Sequence, residues 1–473
     1  MKINIDEFNQ HYFDKDGKFK DNSQEGIKIF PFNTSMSTAY NKICGLQGIT
    51  GSFFRLWQND GSEPIEGFEE SIKSHVVEYL EDNEMSNRGI DDFIMVAQDI
   101  LFIGGVLNIT NPFFLKYLPL LPQGEHFTKA EANKYKLGQN KIANYLFSMV
   151  PDNMDIPKNE DKEDLFSMIL QNALTPQGIP TVQEDKEFTV LNFIKESFIK
   201  DLRWMSKQDS SVKVRYFPYF LYFYVSLGII QGMMNLKPDL TKVDCWKPQP
   251  LYYILKSEKI SMTHDAVVSG WNGKIPKWYF DKIFGRIQAL DILNCVLGGN
   301  VGFYPDILEK LNETPFEENR NNCNEIMESY QNKKRELLDS RGSEKTLPDP
   351  IDTEVSSYTE FVKKMDELCI RYQSTSYISR MRKKFLDVLT ARFLQQRRGL
   401  YVLTLDNDML IFLIALVTHG KKMKLEIMYR NFNEYGIHFN RNTRIAIENY
   451  LLKLNLLDRK SDSGETQYVQ VVL

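Results

Sequence analysis

From about residue 89 to residue 300 the chain carries long runs in which apolar residues recur every three or four positions, DDFIMVAQDILFIGGVLN and FDKIFGRIQALDILNCVLG among them. That period gathers the apolar side chains on one side of a helix. Polar, proline-containing stretches such as PDNMDIPKNEDKED and TPQGIPTVQEDKEF separate the runs and read as loops. Residues 89–340 are therefore expected to form a helical body. Ahead of it, residues 1–88 mix types: GIKIFPF (26–32) suggests a strand, CGLQGITGSFF a glycine-punctuated turn, and residues 63–82 an acidic amphipathic helix. At the end of the body, residues 306–341 are densely charged, with Ile326, Tyr330 and Leu337 at helical spacing. They predict an exposed helix or short helical hairpin, with a heptad pattern too brief for a coiled coil. The Pro, Gly, Ser and acid content of residues 341–357 predicts a linker.

Beyond it, residues 358–399 predict a basic helical segment. Met381, Phe385, Val388, Leu389 and Phe393 fall on one stripe, which leaves the charged side chains on the rest of the helix. Residues 400–473 parse into three helices and a hairpin. DNDMLIFLIALVTHG has an N-cap at Asp406 or Asn407 and a stop at Gly420. LEIMYRNFNEYG places Leu425, Met428 and Phe432 on one face, and RNTRIAIENYLLKLN opens at Asn440 with Ile447, Leu451 and Leu454 inward. The closing LDRKSDSGETQYVQVVL alternates apolar and polar residues on either side of Ser463 and Gly464, as a hairpin does. The expected architecture is thus mainly α: a multi-helical body with a small mixed N-terminal segment and a C-terminal winged helix-turn-helix domain. Val469 and Val471 of the wing are expected to face inward.

YFPYFLYFYVSLGIIQGMM, residues 216–234, has no charged residue and is about long enough to cross a bilayer. Its tyrosines, Pro218, Ser226 and Gln231 favour a buried helix pair of a soluble core, so no membrane association is expected.

A net charge of −5 over 473 residues conceals a local excess of the opposite sign. Between Arg371 and Arg398, Arg371, Arg380, Arg382, Lys383, Lys384, Arg392, Arg397 and Arg398 face Asp387 alone. In a winged helix-turn-helix the third helix enters the major groove and the wing lies along the flanking backbone. Arg441, Asn442, Thr443 and Arg444 in its first turn are thus candidates for the groove, and Arg and Asn suit bidentate contact with guanine and adenine. Arg459 and Lys460 on the wing, and Arg380, Arg382, Lys383, Lys384, Arg392, Arg397 and Arg398 before the module, are candidates for phosphates. Double-stranded DNA is the expected partner. Against this, residues 400–473 hold nine basic and eight acidic residues, and a winged helix without a basic surface often docks proteins instead.

Catalytic motifs are scarce. The Gly-Lys pairs at 17, 273 and 420 lack the context of a phosphate loop, and Gly45, Gly48 and Gly51 suit a turn better than a dinucleotide site. Six histidines and five cysteines (Cys44, Cys245, Cys295, Cys323 and Cys369) are scattered without metal-ligand or redox spacing, so no metal and no cofactor is expected. His264-Asp265 lacks a nucleophile. Asp152 with Glu160-Asp161-Lys162, and Glu184-Asp185-Lys186, have nuclease-like composition but sit in polar loops without a rigid scaffold. The odd cysteine count and the charged start MKINIDEFNQHYFDKDGK suggest a reducing, cytoplasmic location without a signal peptide.

The runs LTLDNDMLIFLIALVTHGKKMKL (403–425), LLDRKSDSGETQYVQVVL (456–473) and GIKIFPFNT (26–34) resemble DptG, the G component of the bacterial DNA phosphorothioation-dependent restriction system. The resemblance implies partners like the F and H components (DptF, DptH), which supply NTPase and helicase-like activity, in a defence against DNA lacking the phosphorothioate mark. It carries no catalytic residues. The expected function is a non-catalytic DNA-binding and scaffolding subunit. Rival readings are a kleisin-like adaptor for NTPase partners without DNA contact, and a metal-dependent nuclease.

Overall fold

A computed structural model describes residues 2–20, 26–33, 35–37, 46–58, 62, 64, 72–103, 106–109, 111–121, 126–152, 154, 165–174, 188–237, 246–258, 268–342, 347–459 and 467–472. The fold is mainly helical, with short strands. α1 (Ile5–Tyr12) starts at Asn4, whose side chain accepts from the amides of Asp6 and Glu7. Residues 26–32 form no strand. The amides of Gly26 and Ile27 donate to the buried Asp291 carboxylate, and Phe30 and Phe32 pack on Phe385. The expected turn at Gly48 and Gly51 is instead α2 (Gln47–Gln58). Both glycines serve close packing: a Cβ on Gly51 would meet the carbonyl oxygen of Leu118 at 2.6 Å, and one on Gly48 would run into the Gln139 side chain. α3 (Lys73–Asp82) is the described part of the expected acidic helix, and α4 (Asn87–Leu101) leads into the small hairpin β1 (Phe102–Ile103) and β2 (Val106–Leu107).

α5 (Lys129–Phe147) opens with a capping box between Thr128 and Glu131 and packs on α2. α6 (Leu165–Leu174) and α7 (Asn192–Met205) follow. The apolar run at 216–234 is not a helix pair but part of one continuous helix, α8 (Ser210–Asn235), with Pro218 inside it. Surrounding helices enclose it, and burial of a nearly all-apolar surface outweighs the local cost of the proline. Among the described residues it is the one helix long and apolar enough to span a bilayer, with 89% of that window buried.

β3 (Leu251–Tyr252), β4 (Ile254–Leu255) and the short α9 (Trp271–Lys274) precede α10 (Lys277–Cys295). α11 (Tyr304–Leu311) and α12 (Phe316–Ser340) each pack against the helix at Tyr358–Arg371, and α12 buries Cys323, Ile326, Met327 and Tyr330. The stretch expected as a linker is packed from residue 347 onward. The Ile351 amide donates to Gln331 Oε1 at 2.8 Å, the Val355 amide donates to Asn324 Oδ1 at 3.1 Å, and Val355 is buried.

α13 (Tyr358–Arg371) lies along α10, and α14 (Thr375–Thr390) buries Met381, Phe385, Val388 and Leu389. The basic helix ends there, earlier than the charge run suggests. Phe393 is buried beyond it, and residues 394–405 turn into an antiparallel hairpin, β5 (Leu394–Arg397) and β6 (Leu400–Leu405). Arg398 and Gly399 form its two-residue turn at φ 49° and 78°, a pairing that follows strand twist. The boundary expected between residues 399 and 400 falls inside this turn.

β6 pairs in parallel with β4, so the body contributes a strand beside the C-terminal segment. α15 (Asn407–Thr418), capped by Asp406, is buried along nearly its whole length. After it come β7 (Met423–Lys424), α16 (Leu425–Asn433), β8 (Ile437–His438), α17 (Arg441–Lys453), β9 (Leu457–Arg459) and β10 (Gln467–Val469). β7, β10 and β9 form one antiparallel sheet with β10 in the middle, while β8 pairs in parallel with β3. Val469 and Leu457 are buried; Val471, expected inward, is exposed because pairing stops at Val469.

Candidate nucleic-acid interface

α17 begins at Asn440, whose side chain accepts from the Thr443 amide at 2.8 Å. Ile447 and Leu451 are buried, as the spacing predicts, whereas Leu454 lies just past the helix and is exposed. The outward residues include Arg441, Asn442, Arg444, Ile445, Asn449 and Lys453. Thr443 is not among them: it is fully buried and its hydroxyl donates to Glu258 Oε1 at 3.2 Å. The 3.6-residue repeat turns the third residue of this helix inward, so it cannot face a groove.

Glu258 joins this helix to the body. Its other carboxylate oxygen accepts from the Leu255 amide at 2.6 Å. Burial pushes its carboxyl up, against the opposing pull of these hydrogen bonds and of Arg397. Arg397 donates to the carbonyl oxygens of Glu258 and Lys256 at 2.8 and 2.6 Å, which spends its guanidinium on the 255–258 turn rather than on a ligand. Arg398, at the tip of the same hairpin, is exposed.

Arg444 lies over the Tyr429 ring at 4.8 Å and donates from Nε to the Phe439 carbonyl at 3.2 Å. One edge of the guanidinium is thereby fixed on an aromatic platform. Burial and this nearby cation hold the His438 imidazole below its ordinary pKa. Arg441, Arg444, Ile445 and Glu448 share an open pocket with Tyr252 and Ser269 of the body. Tyr252 and Ser269 carry no motif; the parallel β3–β8 pairing is what brings them beside α17.

The second cluster lies on α14. Arg380 and Lys383 are exposed, and Arg382 is half-buried. Lys384 is turned in: its ammonium donates to the Met36 carbonyl. Burial lowers its pKa; Asp387 opposes this, and Lys383, Arg380 and Lys134 reinforce it. Lys134, exposed on α5, is thus a member that sequence reasoning missed, because nothing local announces that α5 and α14 meet around residues 36–37.

Arg392 is occupied within the fold, paired with Asp406 at 3.1 Å and stacked over the Tyr219 ring at 4.3 Å. Lys422 pairs with Asp458 at 2.7 Å at the base of the terminal sheet. The side chain of Arg459 and all of Lys460 lie outside the described residues, as do His264-Asp265, Glu160-Asp161-Lys162 and Glu184-Asp185-Lys186. Asp152 is exposed.

Two groups of candidates are therefore brought together, Arg441, Asn442 and Arg444 on α17 and Arg380, Lys383 and Lys134 across α14 and α5. Thr443, Arg392, Arg397 and Lys384 are committed to internal partners. No family model matches the chain, and no curated protein matches it.

Proposed function

We propose that this chain is a non-catalytic subunit that binds duplex DNA through its C-terminal quarter and scaffolds partner proteins with its helical body. The observation that carries the reading is α17, which holds Arg441, Asn442 and Arg444 outward while Asn440, Thr443 and Ile447 fix the helix to the protein behind it. Side chains on a rigid helix N-terminus can meet base edges or phosphates without first being ordered.

Three helices backed by an antiparallel sheet in the order β7-β10-β9 fit a winged helix-turn-helix, with α17 as the recognition helix and β9–β10 as the wing. The cations of α14 and α5 would add phosphate contacts. The resemblance to DptG supports a place in a phosphorothioation-dependent restriction complex acting on unmodified DNA, alongside DptF-like and DptH-like subunits.

Salt-titrated binding to a duplex tests this. Contact with about six phosphates gives a log–log slope near −5. The triple variant Lys134→Ala, Arg380→Ala, Lys383→Ala should weaken binding to every sequence and flatten the slope. A slope unchanged in this variant would sink the phosphate role of the cluster.

The rival reading, a protein adaptor, draws on Arg392, Arg397 and Lys422, whose charges are answered within the fold. A purified chain that ignores duplex DNA yet co-elutes with an NTPase partner would select it.

A further inference from the structure

We propose that Glu7, His11 and Cys295 form a binding site for one zinc-type divalent cation, which clamps the N-terminal helix to the body. The ligand atoms lie within 4.8 Å of one another, and His11 Nε2 is 2.9 Å from Glu7 Oε2. Donor atoms around a tetrahedral zinc stand roughly 3.5 Å apart, so a small adjustment of side-chain torsions closes the set around an ion.

Glu7 and His11 are one helical turn apart on α1 and share a face. Cys295 is the last residue of α10, outside any disulfide. The Asn4 amide donates to the Val296 carbonyl at 3.0 Å, which fixes the start of α1 against the end of α10. The three donors thus sit on two helices already locked together.

A second feature favours a cation. Cys295 is the last residue of α10, so the carbonyl-rich, negative end of that helix lies at the cluster. Asp291, one turn before Cys295 and fully buried, adds another negative group nearby; its own oxygens are taken by Tyr12 and by the amides of Gly26 and Ile27. The carboxylate, imidazole and thiolate together suit zinc, and they disfavour magnesium or calcium, which take oxygen donors. Cys295 is buried while Glu7 and His11 are half-buried, so the fourth position of the ion faces solvent. On binding, the Cys295 thiol gives its proton to solvent and becomes the thiolate ligand.

The full-length chain, freed of metal by chelation under reducing conditions, is titrated with cobalt(II). The expected result is one cobalt per chain with a thiolate-to-cobalt charge-transfer band and tetrahedral visible bands, displaced by zinc. Cys295→Ser should abolish the charge-transfer band, and His11→Gln and Glu7→Gln should each weaken cobalt binding by about 100-fold or more. Zinc should raise the melting temperature of the wild type and leave that of His11→Gln unmoved. The proposal is overturned if the wild type shows no thiolate band. It is equally overturned if the band survives Cys295→Ser and vanishes on replacing Cys44 or Cys245. Should Cys295→Ser not fold, unchanged cobalt affinity in both α1 variants overturns it.

Discussion

Thr443 and Arg441 are two residues apart in the first turn of α17 and do different work. The Thr443 hydroxyl is buried on Glu258, so Thr443→Val should leave duplex affinity intact and cost about 1 kcal/mol of stability, read by urea unfolding. Arg441→Ala, at an exposed position, should leave stability unchanged and lower duplex affinity. The reverse pattern would place the interface elsewhere. Glu360 is a residue-scale case of pH linkage. Its carboxylate accepts from Ser356 Oγ and the Ser356 amide and pairs with Lys364, which holds its pKa at about 2 against an ordinary 4.5. Because the folded value is the lower one, its contribution is full above the unfolded value and is lost as pH falls from about 4.5 toward 2. Glu360→Gln should therefore be less stable than the wild type at neutral pH, with the gap closing in acid. Thermal melts across that range check it, and a gap independent of pH would refute it.

At the scale of elements, the contact between α10 and α13 depends on Gly285. A Cβ there would meet Ile370 Cα at 2.5 Å and its amide nitrogen at 2.6 Å. Backbone cannot swing aside as a side chain can, so Gly285→Ala should destabilise the protein by about 3 kcal/mol, seen as a lowered denaturation midpoint. An unchanged midpoint would mean that the helices can separate freely. The same principle explains the misread α2. Its glycines look like turn signals along the chain, yet they serve an approach to α5 and to Leu118 that is defined only in three dimensions. α8 is the converse. Its apolar run was legible as buried, but as a helix pair, whereas it lies within one continuous helix that carries Pro218. Helix existence and the apolar faces of α14 and α17 were readable because the 3.6-residue period is local. The strands β3, β4 and β8 were not, since two-residue parallel pairings leave no period to detect.

For the whole molecule, the decisive joint is Asp201. This fully buried carboxylate on α7 accepts from the hydroxyls of Tyr224 and Tyr435 at 2.6 Å each and meets His419 Nε2 at 2.9 Å. Burial and this carboxylate push both tyrosines well above their ordinary pKa, so they stay protonated donors at any working pH. Tyr224 belongs to α8, while His419 and Tyr435 follow α15 and α16, so one side chain ties the C-terminal segment to the body. Asp201→Asn puts an amide donor among groups that need an acceptor and should cost about 3 kcal/mol, measured as a fall in melting temperature. A melting temperature equal to the wild type would show that the joint contributes little.

What the sequence alone determined is what short-range periodicity and chemistry can encode: a mainly helical chain, a cap at Asn440 and one at Asp406 or Asn407, the inward stripes, and a concentration of cations after residue 371. Only the tertiary structure decided which of those cations remain available, because Arg392 and Arg397 find their partners across the fold. It alone brought Lys134 beside α14 and Cys295 beside Glu7 and His11. Packing joins residues far apart in sequence, and their proximity leaves no trace in the pattern along the chain.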